Sequence, residues 1–160
     1  MHIRRATDAD WPQLWAIIEP IMRAGETFAL PRDGDEAVAR AYFASTEKVN
    51  FVAEDGGTIL GASYVRPNQQ GGGSHIANCG YMTAAAARGR GIARALCSHS
   101  IDYCREAGFK GIQYNFVVST NEAAVHLWQS LGFAIVGTLP GAFDHPTHGF
   151  VDAYVMFRAL

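Results

Sequence analysis

The stretch Arg88-Gly89-Arg90-Gly91-Ile92-Ala93 decides how the rest of the chain is read. It follows an apolar, Gly-punctuated run from Ile76 to Met82 and opens a segment with helical periodicity. A glycine-rich turn at a helix start presents backbone N–H groups that have no helical partner, at the positive end of the helix dipole. Arginines in the same turn add fixed positive charge. That combination suits a phosphorylated ligand. By itself the pattern is weak, because glycine-rich strand-to-helix turns often serve only close packing. Residue identity removes two competitors. A Walker loop ends in Gly-Lys-Ser/Thr, where this turn has Gly91-Ile92-Ala93. A dinucleotide fingerprint belongs to an early β-α-β unit with an acidic residue about 20 positions later. Here the turn is central in a chain of 160 residues.

Working outward, His2 to Ala6 reads as a short opening strand. Thr7 or Asp8 caps a helix with Asp10 in its first turn and Trp11, Leu14, Trp15 and Ile18 on its apolar face. Pro20 is expected to kink or interrupt that helix. A loop, Gly25 to Pro31, precedes a second helix over Asp35 to Ala44. Asn50 to Ala53 and Thr58 to Val65 read as paired strands joined at Asp55-Gly56-Gly57. After a polar loop, Pro67 to Ser74, a strand from His75 to Met82 leads into the Gly-Arg turn and a helix from Gly91 to Ala107, ended by Gly108. Gly111 to Val118 is the next strand. Thr120 or Asn121 caps a helix closed by Gly132, and Phe133 to Leu139 and Phe150 to Phe157 supply the last strands. The order β-α-α-β-β-β-α-β-α-β-β mixes hairpins with one β-α-β unit. An α/β fold is expected, with a mixed central sheet flanked by helices.

Composition bounds the function. At 160 residues, 49% hydrophobic and 18% charged, one domain spanning 1–160 is expected, soluble and globular. The net charge of -2 argues against a nucleic-acid partner, whose recognition normally rests on a basic surplus. Phosphate binding must therefore be local. No apolar run approaches the roughly 20 residues that span a bilayer, and Met1 to Ala6 lacks the apolar stretch of a signal peptide. Cys79, Cys97 and Cys104 carry no C-x-x-C spacing and read as buried free thiols. A cytoplasmic setting without membrane contact is the expectation. Asp144, His145 and His148 resemble metal ligands by type, but their Gly/Pro loop and the lack of a fourth ligand argue for no metal.

A second block lies downstream: Asn121-Glu-Ala-Ala-Val-His-Leu-Trp-Gln-Ser-Leu-Gly132-Phe133. Together with Arg88-x-x-Gly91-x-Ala93, in this order and at this separation, it resembles the GCN5-related N-acetyltransferase superfamily, whose pattern is Gln/Arg-x-x-Gly-x-Gly/Ala. The resemblance covers nearly the whole chain. It implies acetyl-CoA as cosubstrate and a mostly antiparallel sheet that splays where CoA binds. By the same resemblance, the N–H groups of Arg88, Gly89, Arg90, Gly91, Ile92 and Ala93 hold the pyrophosphate. Arg88, Arg90 and Arg94 reach phosphates, with at least one of them a solvated helix-start charge. A bulge in the strand before the turn opens the gap. Pantetheine lies there, pairing with backbone at Met82 and Thr83, and a backbone N–H around Met82 serves the oxyanion. Asn121 reaches the CoA arm.

The residues expected to carry the chemistry depart from that pattern. The superfamily's usual acid is a tyrosine in the second block, where this chain has Trp128. Indole N–H donates a hydrogen bond but delivers no proton, so Trp128 packs on pantetheine or faces the sulfur. The strand Ile76 to Met82 carries Asn78 in place of a glutamate, and Asn115 lies on the strand opposite. These asparagines either orient a substrate carboxylate or amide, or tie down backbone at the splay. Glu26, in the loop after the first helix, is a candidate base or a solvated loop charge. The asparagines and the strand His75-Ile-Ala-Asn-Cys-Gly-Tyr look closest to branches that act on azetidine-2-carboxylate. The Pro140-Gly-Ala-Phe143 and Gly149-Phe-Val-Asp152 segments look like the phosphinothricin acetyltransferase branch. Both imply a small amine or amino acid bearing a negative charge as acceptor, in a detoxifying role, and the superfamily's habit implies a homodimer. Two alternatives stand beside this reading: a non-catalytic acyl-CoA sensor, and an acetyltransferase for peptide N-termini or lysines.

Overall fold

The structure, a computed structural model, describes residues 1–160. Its strands are β1 (His2–Arg5), β2 (Val49–Asp55), β3 (Thr58–Pro67), β4 (Ile76–Thr83), β5 (Gly111–Val118), β6 (Ala134–His145) and β7 (Gly149–Ala159). Its helices are α1 (Trp11–Ala24), α2 (Glu36–Phe43), α3 (Ile92–Glu106) and α4 (Glu122–Ser130). The predicted order of elements is the observed one. The strands form one seven-stranded sheet in the order β1-β2-β3-β4-β5-β7-β6. Every neighbouring pair is antiparallel except β4 and β5.

Period-2 alternation builds two cores, one on each face of the sheet. On one face, Trp11, Leu14, Ile18 and Met22 of α1 and Phe43 of α2 bury against Val52, Ala62, Tyr64 and Met82. On the other, Cys97, Ile101 and Cys104 of α3 and Trp128 of α4 pack on Phe51, Val65, Cys79, Ile112, Tyr114 and Met156. Neighbours such as Phe51 and Val52, or Tyr64 and Val65, thus serve opposite cores. All three cysteines are buried and free. No helix is long and apolar enough to cross a membrane.

Three expectations change. Pro20 lies inside α1, which runs unbroken to a left-handed Gly25. Packing of Ile17, Ile18 and Met22, on both sides of Pro20, holds the helix through the missing N–H. The last two strands extend further than expected, because β6 and β7 continue pairing out to His145 and Gly149. The expected bulge in β4 is absent: β3 and β4 keep one register from Gly61↔Thr83 to Pro67↔Ala77. The irregularity lies instead in β5, where Tyr114 and Val117 pair with Met156 and Tyr154, leaving Asn115 and Phe116 as a bulge against β7.

At the N-terminus a charged clamp joins three elements. Arg4 of β1 donates through both Nη atoms to the Asp10 carboxylate, each at 2.8 Å, and through Nε to Glu54 of β2 at 2.6 Å. The backbone N–H and hydroxyl of Thr7 also donate to Asp10, at 2.7 and 3.1 Å. These donors, Arg4 foremost, hold the Asp10 carboxyl well below the usual carboxylate range against the opposing effect of burial. A depressed folded value means the stabilisation is complete above the unfolded value, about 3.9, and is lost as pH falls through the folded one. Replacing Asp10 by Ala should lower the unfolding free energy by about 1–2 kcal/mol at neutral pH. In urea melts, its difference from wild type should shrink steadily below about pH 4.

Candidate functional site

The parallel pairing of β4 with β5 lasts only for Ile76↔Gly111 and Ala77↔Ile112. Beyond it β4 follows β3 and β5 follows β7, and the strands separate. A cavity of about 1000 Å³ opens in this gap and runs from the Gly-Arg turn to the C-terminal end of α1. Arg88, Gly89, Gly91, Ile92, Ala93, Arg94, Asn121 and Trp128 line one end, and Glu26, Asn78 and Asn115 line the other. Met82 and Thr83 lie between them. The structure therefore brings nearly all the sequence-derived candidates to one surface.

Arg90 is the exception. Its side chain points away from the cavity toward Asp55, 3.9 Å away. It is the solvated charge of the turn. Arg94 faces the cavity end and donates to the Ser130 hydroxyl at 2.9 Å.

The turn offers fewer donors than its sequence implied, because the Arg88 and Arg90 N–H groups are taken by the Ala85 and Ala87 carbonyls. Gly91 adopts φ 77° at the start of α3, a conformation costly for residues with a Cβ. The first acceptor bond of α3 runs from the Ala95 N–H to the Gly91 carbonyl at 3.0 Å. The N–H groups of Gly91 to Arg94 are left without protein partners. A Cβ built on Gly89 or Gly91 meets nothing within 4 Å. These glycines serve backbone shape and open space, and packing plays no part. Asn121 starts α4 without a side-chain cap bond, so its amide is free to face the cavity.

Backbone direction in β4 corrects one assignment. The Ala84 N–H donates to Leu60 of β3, and the Ile76 carbonyl accepts from Asn68. The His75 carbonyl accepts from Lys110, on the β5 side. Alternation then turns the backbone of even-numbered residues, Met82 included, toward β3, and that of Tyr81 and Thr83 toward the gap. With no bulge to reverse it, the Met82 N–H is committed to the β3 ladder. The Met82 side chain packs in the core under α1.

Asn78 is 6% exposed, and its Nδ2 donates to the Gln113 carbonyl of β5 at 2.9 Å. It bridges the seam one step beyond the last parallel pair. Asn115 Nδ2 donates to Asn68 Oδ1 at 2.7 Å, and its own Oδ1 accepts from Gln113 Nε2 at 3.0 Å. Both asparagines thus tie down the splay while facing the cavity. Glu26 is exposed on the cavity wall. Trp128 packs against Tyr81, ring centroids 4.9 Å apart, and Tyr114, at 5.4 Å. The Tyr114 hydroxyl donates to that of Tyr81 at 3.2 Å, and burial pushes both phenols far above their ordinary range. No phenol in this cluster is poised to release a proton.

Sequence reasoning missed the wall opposite Glu26. Tyr64 lies across Gly80, its partner on β4. A Cβ on Gly80 would come within 2.4 Å of the Tyr64 ring, so glycine makes room for it. The Tyr42 hydroxyl lies 3.4 Å from that of Tyr64. Arg66, opposite Asn78 in the hairpin, completes the wall. Period 2 carried one residue past Val65 would have placed Arg66 on the face of Asn78.

A model of the acetyltransferase (GNAT) family matches residues 11–133. The structure of a GCN5-related N-acetyltransferase from Kribbella flavida is similar with a TM-score of 0.93 and 47% identity, over 99% of this chain and 97% of that one. The N-acetyltransferase aca1 of Schizosaccharomyces pombe is 36% identical over 99 residues, which are 61% of this chain and 47% of aca1. The L-amino acid N-acyltransferase MnaT of Escherichia coli is 32% identical over 91 residues, 56% of this chain and 52% of MnaT. The matches thus span about half the length of these curated relatives. The matched residues run from the start of α1 through the unpaired N–H groups of α3 to Phe133 beyond α4, and the chain belongs to the acetyltransferase (GNAT) family.

Proposed function

We propose that this protein transfers the acetyl group of acetyl-CoA to the amine of a small, amino-acid-like acceptor. One observation carries the reading: a seam between parallel strands opens against a helix N-terminus whose first N–H groups are unpaired. The N–H groups of Gly91 to Arg94, with Arg88 and Arg94, suit a pyrophosphate. Gap-facing backbone at Tyr81 and Thr83 suits the amides of a pantetheine arm, in the manner of an added strand. One of those N–H groups, in place of the Met82 N–H, would stabilise the oxyanion. Tyr81 and Trp128 form an aromatic wall for the thioester end.

Acceptor chemistry follows from the other end. The amine must lose a proton as its nitrogen bonds the acyl carbon and the C–S bond breaks. Glu26 is the only carboxylate lining the cavity and takes that proton. The thiolate leaves without a side-chain acid, since Trp128 is a donor only. The narrower acceptor class, proline analogues or phosphinothricin-like amines, is supported by the side-chain amides of Asn78 and Asn115 on the cavity wall. Similarity to an L-amino acid N-acyltransferase points the same way.

Thiol release from acetyl-CoA on adding amino acids should reveal turnover. Binding of CoA with no transfer to any amine would favour a sensor, and preference for peptides would favour a protein acetyltransferase. Gly91→Glu should abolish CoA binding in calorimetry, whereas Gly91→Ala should keep it in part. Asn78→Ala should lower the melting temperature as well as turnover, because it removes the bridge to Gln113. Asn115→Ala should lower turnover with a smaller loss of stability. Trp128→Phe should reduce the rate less than about tenfold, since packing and not proton transfer is lost.

A further inference from the structure

We infer that Arg66 forms an anion subsite at the acceptor end of the cavity, reading a carboxylate or similar oxoanion on the acceptor. This rests on the acetyl-transfer reading of the same cavity and names the group that selects its substrate. Arg66 and Asn78 lie opposite each other in the β3–β4 register, on the face that lines the cavity. Arg66 Nε donates to Asn78 Oδ1 at 3.4 Å, a long bond that orients the guanidinium without neutralising it. Both Nη groups lack a protein partner, and no ion pair of the protein involves Arg66.

Its neighbourhood adds charge of the same sign. Lys48 lies over the rings of Tyr42 and Tyr64, 3.8 and 4.2 Å from their centroids. Burial, and then the positive charge of Arg66, push the Lys48 ammonium down to about 8. Two half-buried cations thus share one corner, and Glu47, the acid that acts on Lys48, is exposed. Lys48 donates to the Tyr42 carbonyl and lines a separate cavity, which leaves the Arg66 guanidinium as the cation of this corner open to an anion. The charged side chains lining the cavity divide in the same sense. Arg88 and Arg94 belong to the turn and the start of α3, and Arg66 and Glu26 are the other charged residues that line the cavity. An acceptor with an ammonium toward Glu26 and an anion toward Arg66 matches both signs. A planar fork with free Nη donors pairs well with a carboxylate or a tetrahedral oxoanion.

Equilibrium binding tests this without turnover. CoA-saturated protein is titrated calorimetrically with a panel of L-amino acids, their primary amides and the matching α-aminophosphonates. In wild type, an amino acid or an aminophosphonate should bind roughly 10–100-fold more tightly than its amide, the range for a charge-assisted hydrogen bond. Arg66→Met and Arg66→Gln should erase that preference while leaving amide affinity and CoA affinity unchanged. Arg66→Lys should restore part of it. The phosphonate arm tells a carboxylate reader from a tetrahedral one. Amides that bind as tightly as their acids in wild type would overturn the inference. So would an Arg66→Met variant that keeps the preference or weakens both classes alike. An Arg66-dependent preference in a protein that transfers no acetyl group would uphold the subsite and remove the acetyl-transfer reading.

Discussion

The early end of the β4–β5 ladder is the constraint on which the rest of the molecule depends. Two parallel pairs join the halves of the sheet, and then each half follows its own partner. On one side β3 holds β4 in a single register. On the other, the bulge at Asn115 and Phe116 bends β5 along β7. Backbone that would have paired across the seam is left for a ligand. Unpaired backbone groups in such a place would be costly if they were buried and dry, so the gap is also a site.

Polar side chains hold that opening in shape. Asn78 crosses from β4 to the Gln113 carbonyl, and Asn115 joins Asn68 to Gln113. Asn78 and Asn115 also line the cavity. Tying down the splay therefore does not keep Asn78 and Asn115 from facing a ligand, and the two readings of the asparagines are not exclusive. Underneath, the core on the α3 face supplies rigidity. Tyr114 stacks on Phe133 at 4.3 Å, and Trp128 closes over Tyr81 and Tyr114. The indole is thus fixed as a wall.

Much of the donor end was legible in the sequence. Gly89 and Gly91 had to take positive φ to turn a strand into a helix, and a helix start must leave N–H groups free. Strand alternation alone places Asn78, Gly80 and Met82 of β4 on one face. The acceptor end was only partly legible. Glu26, Asn78 and Asn115 were found by type, but the wall of Tyr42, Tyr64 and Arg66 was not. Tyr42 comes from a helix distant in sequence, and Arg66 falls just past the strand end read from its apolar pattern.

By itself the sequence determined the element order, the alternation that builds two cores, and the phosphate-suited turn. These follow from local geometry, since strand period, helix period and glycine conformations act over a few residues. Tertiary structure alone decided where the sheet opens and which backbone faces the gap. Those depend on register between strands far apart in the chain. The bulge moved from β4 to β5, the Met82 N–H turned toward β3, and Arg90 swung out to Asp55. Only the assembled fold could bring Arg66 and Glu26 to the lining of a cavity that also holds a helix N-terminus.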